Sequence, residues 1–174
     1  LLRRPKIDLV VKRVHSSAWQ LFRKHHYLDS NIHTGARCFV ALWNDIPVSF
    51  ASVLHFPHPK SPNMKREHRT VTLPDYQGIG IGNRLSAYIG SMVRGLDCRY
   101  VSITSHPAMM RSRAKSSEWK MIAKPNATTK TLSGKSLAGE ESGASGGFSG
   151  RLRATFEYVG TAMLKSEALR LWQA

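Results

Sequence analysis

A strand, a glycine turn and a helix start follow one another in the run Leu73-Pro74-Asp75-Tyr76-Gln77-Gly78-Ile79-Gly80-Ile81-Gly82-Asn83-Arg84-Leu85. This order constrains the chain more than any other stretch. Thr70-Val71-Thr72-Leu73 reads as extended ahead of the glycines, and Leu85, Ile89, Met92 and Val93 recur at helical spacing behind them. Glycines let backbone N–H groups converge, and the helix dipole adds partial positive charge. Such a turn is an anion site of the kind that cradles a diphosphate.

Two other phosphate loops do not fit. A dinucleotide fingerprint wants G-x-G-x-x-G, but Asn83 stands at the third glycine after Gly78 and Gly80, and Leu85 stands there after Gly80 and Gly82. Gly134-Lys135-Ser136 has a Walker ending, but Thr129 occupies the first-glycine position. Gln77, Gly80 and Gly82 instead resemble the Q/R-x-x-G-x-G/A acetyl-CoA loop of the GNAT acyltransferases, and Leu73-Pro74-Asp75-Tyr76 is similar to its approach. The resemblance implies acetyl-CoA, or another acyl-CoA, held by Leu73, Gln77, Gly78, Ile79, Gly80, Ile81, Gly82 and Asn83, its diphosphate on the amides of residues 80–83. A plain strand-to-helix turn is the alternative.

The 174 residues make one domain, large enough for a real core, and the 41% apolar content is ordinary for a globular protein. No apolar run reaches the roughly 18 residues of a membrane span. The start, Leu1-Leu2-Arg3-Arg4-Pro5, lacks Met and a signal-peptide core and reads as trimmed. Cys38 and Cys98 sit in strand-like runs as small buried thiols, which suits a reducing, cytoplasmic compartment. Lys and Arg total 26 against 11 Asp and Glu, a net charge of +15. That excess favours a polyanionic partner, DNA or RNA; a solubilising surface is the plainer alternative. The oligomeric state is left open.

Hydrophobic patterning predicts an α/β order. Strands are expected over 7–14, 38–43, 48–56, 67–73, 99–104, 118–123 and 151–159, with a turn at Asn44-Asp45-Ile46-Pro47. Helices are expected from a Ser16 or Ser17 cap toward His26, from the glycine loop to Gly95, from Pro107 through Arg113, and at the C-terminus around Met163, Leu164, Leu169 and Leu171. Trp19, Phe22 and Leu21 should anchor the first helix to the sheet. The Gly/Ser/Lys-rich stretch 124–150 is expected to be a long mobile excursion. The order is similar to GNAT topology over essentially the whole chain. It implies a mixed, twisted sheet flanked by helices and splayed at the acyl-CoA site after the strand ending at Leu73.

Acyl transfer to an amine needs a neutral nitrogen, a polarised thioester carbonyl and often a donor to the leaving thiolate. In many GNAT enzymes the base comes from the strand before the glycine loop, where Glu67 and His68 stand; a surface salt bridge beside Arg66 and Arg69 is the alternative for Glu67. Many members also carry a Tyr on the helix after the next strand. The segment from His106 to Arg113 has none, so Ser105, His106 or Tyr158 would have to substitute. His26-Tyr27, with Ser105, resembles the phage Mom-like DNA-modification branch, whose members alter adenine bases in DNA. On that resemblance His26, Tyr27 and Ser105 shape or serve the acceptor site; helix capping by His25 and His26 is the alternative. None of the eight histidines forms an i, i+4 helical pair with an acidic partner, and the chemistry needs no metal.

Basic and aromatic residues cluster where an acidic substrate could lie. Lys65, Arg66 and Arg69 precede the glycine loop, and Arg111, Arg113, Lys115 and Lys120 flank Trp119. Arg and Trp together can grip phosphates and stack bases. The reading is an acyl-CoA-dependent N-acyltransferase with a nucleic acid or nucleobase-linked amine as acceptor. Its alternatives are Mom-like adenine modification and a catalytically idle nucleic-acid-binding GNAT fold, with small-amine and protein acceptors still open.

Overall fold

The computed structural model describes residues 6–26, 31–57, 61–127 and 152–174. The expected excursion therefore lies largely outside the described residues, as does Tyr27. Seven strands form one sheet in the order β1-β2-β3-β4-β5-β7-β6. They are β1 Val10–Val14, β2 Arg37–Trp43, β3 Ile46–His55, β4 Met64–Thr72, β5 Arg99–Thr104, β6 Trp119–Ala127 and β7 Leu152–Tyr158. Every pair is antiparallel except β4 with β5. The helices are α1 Ile81–Gly95, α2 Pro107–Ala114 and α3 Lys165–Gln173. Among the described residues no helix is long and apolar enough to cross a membrane.

Alternation in the strands divides the core in two. Phe39, Ala41, Ala51, Val53, Tyr100 and Phe156 face Leu85, Ile89, Met92 and Val93 of α1, with Ala168 of α3 in the same cluster. Cys38, Val40, Phe50 and Val71 face the other way and are covered by Trp19 and Phe22. The expected first helix is instead two 3-10 turns, Ser16–Leu21 and Arg23–His25. Trp19 and Phe22 are three apart, the spacing that a 3-10 turn eclipses on one side. Both rings meet Phe50, at 5.1 and 5.5 Å. Leu21 is 59% exposed and anchors nothing. The hairpin turn is also tighter than expected: Asn44 and Asp45 alone take positive φ, and Ile46 already pairs with Trp43.

The parallel pair is short. β4 and β5 are in register only over Met64–Arg66 and Arg99–Val101. Beyond Arg66, β4 continues along β3 to Thr72 while β5 continues along β7. The ladder between β3 and β4 shifts where Val53 pairs with Glu67 and Ser52 with Arg69, which leaves His68 as the extra residue of a β-bulge. A bulge bends its strand and increases its twist, so β4 swings away from β5 at Glu67. This splay is the gap in which a site can form.

At the C-terminus, Arg13 and Arg37 donate to the Trp172 carbonyl at 2.7 and 2.9 Å. Two cations at a helix C-terminus suit its dipole and tie α3 to β1 and β2. Helix α1 approaches the Tyr158 ring through Gly90, where a Cβ would stand 2.5 Å from the ring. Gly90→Ala gains about 1 kcal/mol of helix propensity but overpacks this contact at a cost of roughly 1–3 kcal/mol. A lower melting temperature is expected; a variant melting at or above wild type would contradict the close packing of Tyr158 on α1.

Candidate active site

The glycine loop meets the conditions of an anion cradle. Gly78 and Gly80 have φ of +80° and +93°, a region that side chains with a Cβ rarely enter, and nothing lies within 4 Å of where either Cβ would be. Gly80 is the N-cap of α1 and supplies no side-chain cap, so it leaves the first-turn amides without a partner from the cap position. Asn83 Oδ1 is buried with no hydrogen-bond partner among the described residues. These features fit the phosphate end of an acyl-CoA. Gln77 Nε2 donates to the Thr72 carbonyl at 2.8 Å, fastening the loop to the end of β4. Ile79 is exposed, Ile81 is buried in the core, and Leu73 is half-buried, so backbone groups are what these three can offer a ligand.

The splay is bridged by a buried ion pair. Arg113 Nη2 lies 3.0 Å from Glu67 Oε2, with the two side chains 1% and 7% exposed. Thr70 donates to Glu67 Oε1 at 2.6 Å, and Ser102 donates to Oε2. Arg113 also donates to Ser86 at 2.7 Å and to Ser102. Its guanidinium carbon stands 4.1 Å from the centre of the Trp119 ring. Burial pushes the Glu67 carboxyl up, but the Arg113 charge and the hydroxyls of Ser102 and Thr70 outweigh it and hold the group below its ordinary value. Beside it, the Tyr100 hydroxyl is pushed well up by burial and by the Glu67 charge.

Arg113 and Trp119 are thus not the surface grips that the sequence suggested. Both are buried and form one cation–π unit within the core. The reason is the nearby Glu67, whose buried charge requires a buried counter-charge. Arg111, Lys115 and Lys120 are exposed and stay available to a polyanion. Arg66 is half-buried with its guanidinium 5.1 Å from the Phe56 ring centre.

The imidazoles divide between structure and cleft. His68 Nε2 accepts from the His33 amide at 3.2 Å, which places its proton on Nδ1. Burial and the charges of Arg69, Arg66, His33 and His26 lower its pKa to about 3, so it is neutral at pH 7. His26 is half-buried, edge-on to Trp19 at 5.6 Å. His106 is exposed and caps α2, its Nδ1 accepting from the Met109 amide at 3.4 Å. Ser105 is half-buried just past the end of β5. The structure therefore brings Glu67 and His68 together at the splay and places His26 close enough to His68 to act on its charge. Among the described residues no group of three or more His, Cys, Asp or Glu is placed to hold a metal ion.

The sequence reading missed Ser86, Ser102 and Thr70. Their signal was present: Ser102 lies between Tyr100 and Thr104 on the inward positions of β5, and Ser86 lies beside Leu85 on the apolar side of α1. Buried hydroxyls in such positions require partners.

The sequence matches the model of the acetyltransferase (GNAT) family over residues 8–114. The chain belongs to this family. Its GNAT fold is shared with an IAA acetyltransferase from Bacillus cereus ATCC 14579, at 14% identity and a TM-score of 0.58 over 87% of this chain and 99% of that one. It is shared too with the ribosomal-protein-S18-alanine N-acetyltransferase of Escherichia coli, at 12% identity and 0.59 over 90% and 96%. A GNAT family acetyltransferase from Elizabethkingia anophelis with acetyl-CoA bound aligns at 12% identity and 0.56 over 88% and 99%. A comparison with curated proteins finds no match.

Both site groups work in the same direction with acid. The unfolded chain takes up a proton on His68 below about pH 6.5, and the native state refuses it until about pH 3. Stability therefore falls as pH drops through that window. Glu67, held below its ordinary value, contributes stability that is lost only below the normal carboxylate range. Melting temperature against pH should decline from about pH 6.5. His68→Asn should flatten the upper part and leave the steeper acidic part; an unchanged profile would contradict the neutral, buried His68.

Proposed function

We propose that this GNAT protein transfers an acyl group from acyl-CoA to an amine and that its acceptor is carried on nucleic acid. The observation that carries the transfer reading is the placement of an uncapped, glycine-bounded helix N-terminus at the end of the strand that splays at Glu67. The amides of residues 80–83 would hold the diphosphate, and the bulged strand leading back from Thr72 to Glu67 would line the acyl arm. A bound thioester would supply an activated carbonyl, and the chain would supply its position. The acetyl-CoA in the Elizabethkingia structure supports the same ligand here.

The nucleic acid reading rests on the charge of +15 and on the exposed Arg111, Lys115 and Lys120 around α2 and the start of β6. Such a surface attracts phosphates by releasing counterions.

Acetyl-CoA should raise the melting temperature of the wild type through mass action. Gly80→Asp puts a side chain, at positive φ, and a negative charge where phosphate would sit, so its response should vanish. An equal response in both proteins would remove the cradle from the account.

Binding to DNA or RNA should weaken steeply as salt rises, with log K falling by about 0.7–0.9 per phosphate neutralised for each decade of salt. Affinity that is flat with salt would leave the charge as surface alone.

A further inference from the structure

Away from the splay, a cavity of about 430 Å³ opens between α1, the approach to β1 and the turn that ends β7. That volume is ordinary for a small-molecule site. Its apolar wall comes from a short alternation. Lys6, Asp8 and Val10 are exposed, whereas Ile7, Leu9 and Val11 are half-buried and line the cavity. In an extended chain such alternate residues share one side. Leu9 and Val11 rest on the main core cluster, so the fold backs this wall.

The polar wall holds a charge of each sign. Glu118, half-buried just before β6, and Arg84, exposed in the first turn of α1, both line the cavity. Both also act on the Tyr158 hydroxyl. Burial pushes that group up, the Glu118 charge adds to the effect, and the charges of Arg84 and Arg94 oppose it. Arg94 is engaged elsewhere, donating to the Val159 carbonyl at 2.6 Å and to that of Gly160. The Tyr158 hydroxyl has one proton for two acceptors, Glu118 Oε1 at 3.4 Å and the Thr161 carbonyl at 3.5 Å. Both distances are longer than an ordinary O–H···O bond. The Glu118 carboxylate, partly out of water, can therefore take a stronger donor, and a cationic N–H is of that kind.

A ligand that answers both charges carries a cation and an anion close together, because Glu118 and Arg84 act on the same hydroxyl. It also carries an apolar body for the wall. We propose that this cavity binds a free apolar α-amino acid as its zwitterion. Glu118 takes the ammonium, Arg84 takes the carboxylate, and Ile7, Leu9 and Val11 take the side chain. An apolar acid or an apolar amine answers one charge and leaves the other unmatched, which is a basis for selectivity. The site stands apart from the glycine loop's cradle and does not depend on acyl transfer.

Isothermal titration of the full chain with L-leucine and L-phenylalanine tests this. At least one of them should bind saturably. The matched acids, 4-methylpentanoate and 3-phenylpropanoate, lack the ammonium; the matched amines, 3-methylbutan-1-amine and 2-phenylethylamine, lack the carboxylate. Each should bind about tenfold more weakly or worse, because that is what losing a hydrogen bond to a charged group costs. Glu118→Gln and Arg84→Gln should weaken the amino acid by a similar factor, with circular dichroism confirming that each variant is folded. If a variant does not fold, the matched acids and amines decide the question on the wild type. Saturating acetyl-CoA should leave amino acid binding in place. The proposal is overturned if neither amino acid binds, if a matched acid or amine binds as tightly, or if both folded variants bind like the wild type. Displacement by acetyl-CoA also overturns it, since the ligand would then sit in the acyl-CoA cleft.

Discussion

The contact between Arg113 and Glu67 joins four elements that would otherwise part. Glu67 stands where β4 leaves β5, Ser102 on the strand it leaves, Ser86 on the helix above, and Arg113 on the helix that follows β5. A splayed sheet has lost the ladder that would hold its two halves, since β4 and β5 pair over three residues of each strand. Hydrogen bonds through one carboxylate and one guanidinium take over that duty. Burying two charges is costly, and a pair of this kind adds little net stability compared with a well-packed apolar substitute. Removing one partner is different, because it leaves the other charge buried and alone, at a cost of about 3–5 kcal/mol.

The chemistry of the cleft follows from that arrangement. A carboxylate that closes an ion pair and accepts from two hydroxyls is held in its charged form, and from there Glu67 ties the two sides of the splay together. Burial, and after it the charges of Arg69 and Arg66 on β4, lower the His68 pKa in turn. The other end of the site, at the N-terminus of α1, has the same sign of field from a different source: backbone amides and the helix dipole. An acyl donor with a diphosphate suits the α1 end.

Much of this was legible in the sequence where the signal was local. The glycine loop announces itself because positive φ and an uncapped helix start are properties of consecutive residues, and the structure gives Gly78 and Gly80 those conformations. The order of strands and helices was legible from alternation. What failed depended on distant partners. Trp19 and Phe22 could lie on an α-helix or a 3-10 turn until Phe50 fixed their spacing. Arg113 and Trp119 looked like a basic, aromatic surface because nothing in α2 says which arginine turns inward; Glu67, 46 positions earlier, decides it. The bulge at His68 needs the register of β3 against β4, which no single strand carries.

A double-mutant cycle on Glu67→Gln and Arg113→Met, read by urea denaturation, tests the central role of the pair most directly. If the pair bridges the splay, each single variant loses about 3–5 kcal/mol, and the double variant loses much less than their sum, with a coupling of about 2 kcal/mol or more. Losses that add to within about 0.5 kcal/mol would show that the two side chains act independently, and the splay would then have to be held by other contacts.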